Sequence, residues 1–258
     1  MGISRRRILQ ASVSAVVIPA IGRRAQAEEA STIAVLAVNG VKPVMVRLQP
    51  DYKAKYGVDL QFTFGTIGAL YSRLAAAESA EVLMAPNNGI EVAAAKGVFK
   101  PVGQTTISKT GLGVCVRRGA AVPDVATRAQ FRDLLIHCKS VAYTDPNTGA
   151  ASGVAFDKII ADLGIAELVR AKAKIVATEP VGEVVSRGDA EVGVQQVTEL
   201  APFPGITVLP SFPADLQRIT WYRAATSEGA SAQAVQFVAY LSGPDGQTYF
   251  AGSGFSHL

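Results

Sequence analysis

Four strand-to-helix turns in this chain carry the residues best suited to hold a small anion: Asn39-Gly40, Thr66-Ile67-Gly68, Thr148 to Gly153, and the helix start at Val181. Each would leave the first backbone N–H groups of a helix without an intrahelical partner, and the helix dipole adds partial positive charge there. Such an end holds an anion without Lys or Arg. Asn39, Thr66, Thr148 and Ser152 add short polar side chains. Ordinary capping and turn chemistry uses the same residues, so a single turn is weak grounds for a site. Turns converging on one cleft would form one, and convergence is not visible in sequence.

Catalytic constellations are sparse. The two histidines are His137, beside Lys139 at a helix end, and His257, beside the terminus. Both read as structural or solvated. Asp145 could act as a base, but Asp145-Pro146 is first of all a turn. No Gly-x-Ser-x-Gly, Walker loop, His-Glu-x-x-His or dinucleotide fingerprint occurs. Cys115 and Cys138 form no Cys-x-x-Cys pair, which argues against redox catalysis and a Cys-rich zinc site. They are either a disulfide or two buried thiols, since geometry decides. Neither a cofactor nor a metal is expected.

The elements that must position these turns alternate. Thr32 to Val38 is a continuous apolar run, as in a strand buried on both faces. A helix is expected from about Pro43 to Lys55, kinked or interrupted at Pro50. Val58, Leu60, Phe62 and Phe64 alternate as a strand; Ile67, Leu70, Tyr71 and Leu74 recur at helical spacing. Short strands are expected at 80–84, 111–116, 140–144, 174–177, 192–195, 206–209 and 219–224. Helices are expected at 90–96, 128–136, around 156–163, at 181–186 and over 234–241. This alternation predicts an α/β protein with mainly parallel sheets. Ligands in such folds sit at the carboxyl ends of strands.

The N-terminus reads as a cleavable export signal over residues 1–27. Ser4-Arg5-Arg6-Arg7-Ile8-Leu9-Gln10 looks like a twin-arginine motif, and Ala25-Gln26-Ala27 like a signal-peptidase site. The apolar stretch between them is shorter than the roughly 20 residues of a membrane span. No Cys lies near the cleavage site, so a freely soluble, periplasmic protein is expected. The signal holds five Arg and no acid; the rest carries 20 basic against 21 acidic residues, a net of −1. The apparent basicity therefore belongs to the signal, and nothing favours nucleic acid as a partner.

Several segments together resemble the periplasmic molybdate-binding protein family, of the type II periplasmic binding-protein fold. Phe64-Gly65-Thr66-Ile67-Gly68-Ala69-Leu70 is similar to its Phe-x-Ser-Ser-Gly-x-Leu turn. Glu81-Val82-Leu83-Met84 looks like its Ala-Asp-Val-Phe segment, and Asp145-Pro146 stands at its Asp-Pro. Gly188 to Val194 is similar to its Gly-x-Ala-Asp-x-Gly stretch, and Phe237 to Ser242 with Gly254-Phe255 to its C-terminal helix and tail. The resemblance implies two lobes, 28–108 with 224–258 and 109–223, joined by two crossing strands around a ligand cleft that closes by hinge motion. It implies ligand contacts at Asn39, Thr66, Ile67, Gly68, Ala151, Ser152, Val181 and Gln196. Ile67 stands where the family has a serine and Gln196 where it has a tyrosine, which suits a larger, partly apolar ligand. The function implied is a monomeric solute-binding protein for a small anion, an organic acid or a molybdate-like oxyanion, feeding an ABC permease. The alternative is an isomerase of a small carboxylate, since aconitate isomerase resembles this family in fold and size.

Overall fold

The computed structural model describes residues 31–251 and 253–256. The expected signal at 1–27, and His257, lie outside the described residues. The apolar run becomes β1 (Thr32–Val38), with five of its seven side chains buried. It is sandwiched in parallel between β2 (Asp59–Gly65) and β3 (Val82–Pro86), which explains its unbroken apolar character. One 3-10 turn at Asn39–Val41 and helix α1 (Lys42–Tyr56) connect β1 to β2. Helix α2 (Ile67–Ala75) connects β2 to β3, and α3 (Gly89–Ala95) leads to β4 (Pro101–Thr110). The late strand β10 (Thr220–Ser227) enters antiparallel between β3 and β4, giving the order β2-β1-β3-β10-β4.

The second sheet is built from β5 (Leu112–Arg117), β6 (Val141–Thr144), β7 (Ala173–Val176), β8 (Val192–Gln196) and β9 (Ile206–Val208), in the order β7-β6-β8-β5-β9. Around it lie α4 (Arg128–His137), α5 (Ala151–Asp162), α6 (Ala166–Ala171), α7 (Val181–Arg187) and the short α8 (Val197–Leu200); α9 (Ala232–Ser242) and α10 (Pro244–Phe250) follow β10. Each sheet has two parallel and two antiparallel pairings, so the sheets are mixed rather than mainly parallel. The cause is topological. β5 and β10 each arrive from the other sheet and run against their neighbours.

Three local outcomes differ from the periodicity. Helix α1 runs through Pro50 without interruption. Proline removes the N–H that would reach the carbonyl of residue 46, but Pro50 and Val46 are both exposed, so water can take that carbonyl. No strand is expected between 97 and 110, yet β4 fills ten residues there. Its first half, Pro-Val-Gly-Gln-Thr, faces solvent and it lies at a sheet edge, where an apolar alternation is not required. Helices α6, α8 and α10 are too short to show a helical period.

Two chain segments cross between the sheets. Gly111 links β4 to β5, and the stretch from Leu209 to Ile219 returns to β10. Gln217 fastens one crossing to the other: its Oε1 accepts from Leu112 N at 2.7 Å and its Nε2 donates to Leu112 O at 3.0 Å. The C-terminal segment adds a strap, since Thr110 Oγ1 donates to Gly254 O at 2.9 Å.

Each sheet has its own core. Tyr52, Met45, Leu36 and Phe237 pack on the first; Phe131, Tyr143 and Phe156 on the second. Burial of each such side chain contributes about 1.5–3 kcal/mol. Cys115 and Cys138 are both buried and free, in separate apolar clusters, so the two-thiol alternative is the one realised. Burial pushes the Cys115 thiol up to about 12. No described helix is long and apolar enough to cross a membrane.

Candidate functional site

Two helix starts from different sheets face each other at the carboxyl ends of the strands. In α2, Thr66 is the N-cap, and its Oγ1 accepts from Ala69 N at 3.3 Å. In α5 the N-cap is Ala150, which offers no side-chain acceptor. The first N–H groups of that twelve-residue helix therefore face the cleft uncapped, and N–H groups so placed await an acceptor from outside the helix. Two glycines set the approach. A Cβ at Gly153 would collide with the carbonyl of Thr144, and one at Gly68 would fall 2.6 Å from the carbonyl of Thr148. Any larger residue would hold these turns apart.

Between the turns lies a central space of about 50 Å³. It is lined by Val38, Asn39 and Gly40 from the end of β1, Gly65 to Ile67 from the α2 start, and Ala150 to Ser152 from the α5 start. Ala177, Thr178 and Glu179 come from the turn after β7, and Gln195, Gln196, Glu199 and Tyr222 form the floor. Asn39, Thr178, Gln195 and Glu199 also border an adjoining hollow of about 480 Å³, which Lys42 and Phe203 flank.

Six of the eight residues expected at the site are brought together here: Asn39, Thr66, Ile67, Ala151, Ser152 and Gln196. Gly68 lies one step outside, in a neighbouring groove with Phe64 and Thr148. Val181 does not line the space; its side chain is buried with Cys115 and Val185. The turn ahead of it, 177–179, reaches the cleft instead. Asp145 plays the turn role, accepting from Asn147 N at 2.9 Å. His137 is exposed at the end of α4, with Nδ1 2.8 Å from Asp133 O.

The floor holds groups that composition and spacing do not single out. Tyr222 on β10 is buried and donates its hydroxyl to Gln196 Oε1 on β8 at 2.7 Å, a bond between the two sheets. Gln196 Nε2 in turn donates to Thr220 Oγ1 at 2.9 Å. Gly40 makes room for the phenol, since a Cβ there would collide with it. Burial, with the charge of Glu199 nearby, holds the Tyr222 hydroxyl protonated far above its ordinary range.

Beside it stands Glu199, in α8. Its residue is half-buried, but protein crowds the carboxyl within the cleft, and this desolvation raises its pKa to about 7, against an opposing pull from Gln195. No ion-pair partner of Glu199 occurs among the described residues. Gln195 donates Nε2 to Thr144 Oγ1 at 3.3 Å and leaves Oε1 buried with no partner. Turned over, the same amide would offer its N–H groups to Glu199. Glu179, the other acid at the cleft, is paired with Arg187 at 2.6 Å. Lys42 at the mouth has Nζ 5.6 Å from the centre of the Phe64 ring and no acidic partner among the described residues. No cluster of three His, Cys, Asp or Glu able to hold a metal occurs among the described residues.

Polar residues ending a buried strand are the signal that could have found this floor. Strand β8 reads Val-Gly-Val-Gln-Gln, and its carboxyl end is where α/β folds place ligands.

Known proteins agree with this architecture. The chain is 31% identical over 205 residues to an aconitate isomerase of Pseudomonas sp, covering 77% of each. The periplasmic molybdate-binding protein of Azotobacter vinelandii superposes with a TM-score of 0.73 at 17% identity, over 88% of this chain and 99% of that one. PEB3 of Campylobacter jejuni, solved with L-phospholactate, superposes with a TM-score of 0.70 at 15% identity, over 88% and 100%. The family model of the bacterial extracellular solute-binding proteins matches residues 33–256, and the chain belongs to that family.

Proposed function

We propose that this protein is exported to the periplasm by the twin-arginine route and there captures a small carboxylate in the cleft between two lobes, 28–108 with 224–258 and 109–223. The observation that carries the reading is the uncapped start of α5 facing the Thr66 turn across one small space, with Glu199 and not a fixed cation at its floor. Helix-start N–H groups suit a carboxylate. A fully deprotonated oxyanion such as molybdate needs donors only, and the acceptors Glu199 and Gln195 Oε1 oppose it. A carboxylic ligand can share a proton with Glu199. Asn39, Thr66, Ile67, Ala151, Ser152 and Gln196 are the contacts expected, with Gly68 acting through lobe closure and Val181 through the packing beneath its turn.

Isothermal titration of the mature protein with cis- and trans-aconitate, citrate, lactate and molybdate tests this. Saturable binding of at least one carboxylate is expected. Tighter binding of molybdate than of every carboxylate would overturn the reading.

Capture alone is the work of a receptor that hands its ligand to an ABC permease, and membership of the solute-binding family supports that role. Conversion of the ligand is the second reading, favoured by the 31% identity to an aconitate isomerase.

A further inference from the structure

We infer that Glu199 is the catalytic acid–base residue of the cleft, moving a proton between two carbons of a bound unsaturated carboxylate. This rests on the carboxylate reading above and takes it from capture to turnover.

The geometry separates Glu199 from every other acid near the space. Glu179 is exposed and held by Arg187, and Asp145 is spent on its own turn. Glu199 instead borders both the central space and its wider mouth, so a ligand entering from one to the other passes its carboxyl. Gln195, only 6% exposed, keeps Oε1 without a donor in the wall beside it. As placed, the amide offers that wall an acceptor; turned over, with Thr144 Oγ1 donating to its oxygen, it would offer a donor, so the wall can serve either form of a neighbouring carboxyl. A carboxyl whose pKa lies near the working pH is the efficient choice for proton transfer in both directions. The titratable and charged groups around it are Tyr222 from β10, Lys42 from α1 and Glu179 from the turn after β7.

The step balances within the ligand. Ionised Glu199 takes a proton from a carbon flanked by a carboxylate and a carbon–carbon double bond. The C–H electron pair spreads over the double bond and onto a carboxylate, where the uncapped N–H groups of α5 meet the growing charge. The same carboxyl then returns the proton to the far end of the three-carbon unit. One C–H bond breaks, one forms, and the double bond moves by one position. Nothing is oxidised or reduced.

The test is proton NMR of the mature protein with cis-aconitate in deuterium oxide, for the wild type and Glu199→Gln, with titration calorimetry and a melting curve on both. The wild type is expected to convert cis- into trans-aconitate, with deuterium entering the ligand only to the extent that the Glu199 carboxyl exchanges with solvent before it returns the proton. Glu199→Gln is expected to bind within roughly tenfold of the wild type and to lose conversion by about 10²–10⁴-fold. Should Glu199→Gln fail to fold, Glu199→Asp takes its place, expected to bind and to convert the ligand at least tenfold more slowly. A variant converting at the wild-type rate overturns the inference. Binding by the wild type with neither conversion nor deuterium uptake also overturns it and leaves carboxylate capture standing. No binding of any carboxylate by the wild type overturns both.

Discussion

The start of α2 on one side of the cleft and the end of β8 on the other face the same small space with different equipment. Thr66 and Ile67 present a hydroxyl already engaged in capping and a buried aliphatic chain. Across from them, Gln195, Gln196 and Glu199 bring two amides and a carboxyl, one acceptor of which lacks a donor. The first wall can define shape and supply a helix start. The second can exchange a proton. In a receptor for a fixed anion both walls would be donors, so the asymmetry is the feature on which the proposed proton transfer rests.

Three changes break or sharpen this contrast. Replacing the acid on the chemical wall has the largest expected effect on stability. The Glu199 pKa is raised on folding, from 4.5 to about 7. The native state therefore favours the protonated form, and the stability tied to it is complete below about pH 4.5 and is lost as pH rises through 7. Glu199→Gln escapes that loss, so in urea titrations it should match the wild type near pH 4. At pH 8 it should exceed it by up to about 3 kcal/mol, less where solvent screens the carboxyl. A gain of the same size at both pH values would mean that Glu199 is not desolvated.

Next comes the bond that ties the walls. Tyr222→Phe leaves Gln196 Oε1 buried without its donor and should cost about 1–3 kcal/mol in the same assay. Loss of less than about 0.5 kcal/mol would mean that the amide finds another partner. The smallest effect belongs to the shape wall. Thr66→Ala removes the α2 cap and should lower stability by about 1 kcal/mol. Its effect on conversion should be only as large as its effect on binding, whereas the Glu199 change separates the two.

Much of the fold was legible because its strands are apolar and its helices periodic, as with β1 and α2. The turns at Asn39, Thr66 and 150–152 were legible too, because strand ends and helix starts announce themselves by residue type. Glu199 was not. It sits in Val-Thr-Glu-Leu, a four-residue helix indistinguishable in sequence from a solvated surface turn. Only the crossing of the chain between sheets brings β8 and β10 together and turns that glutamate inward. Tyr222 was hidden for the same reason: its partner Gln196 is 26 residues away, on the other sheet. Strand β4 escaped because an edge strand facing water needs no apolar period.

Trp221, the chain's one tryptophan, stands beside Tyr222 at the start of β10. Its ring lies 4.8 Å below Lys109 Nζ, and its backbone N–H reaches Asn87 Oδ1 at 3.1 Å. Lys109 belongs to the strand that leaves the first sheet and Trp221 to the strand that re-enters it. The molecule therefore carries an optical gauge at its own crossing point, half-exposed and under a cation. Both residues sit in the first sheet, as register partners on neighbouring strands, so a ligand that disturbs the crossing enough to part Lys109 from the ring would register as a change in intrinsic fluorescence, readable on the unlabelled protein in a stopped-flow cell.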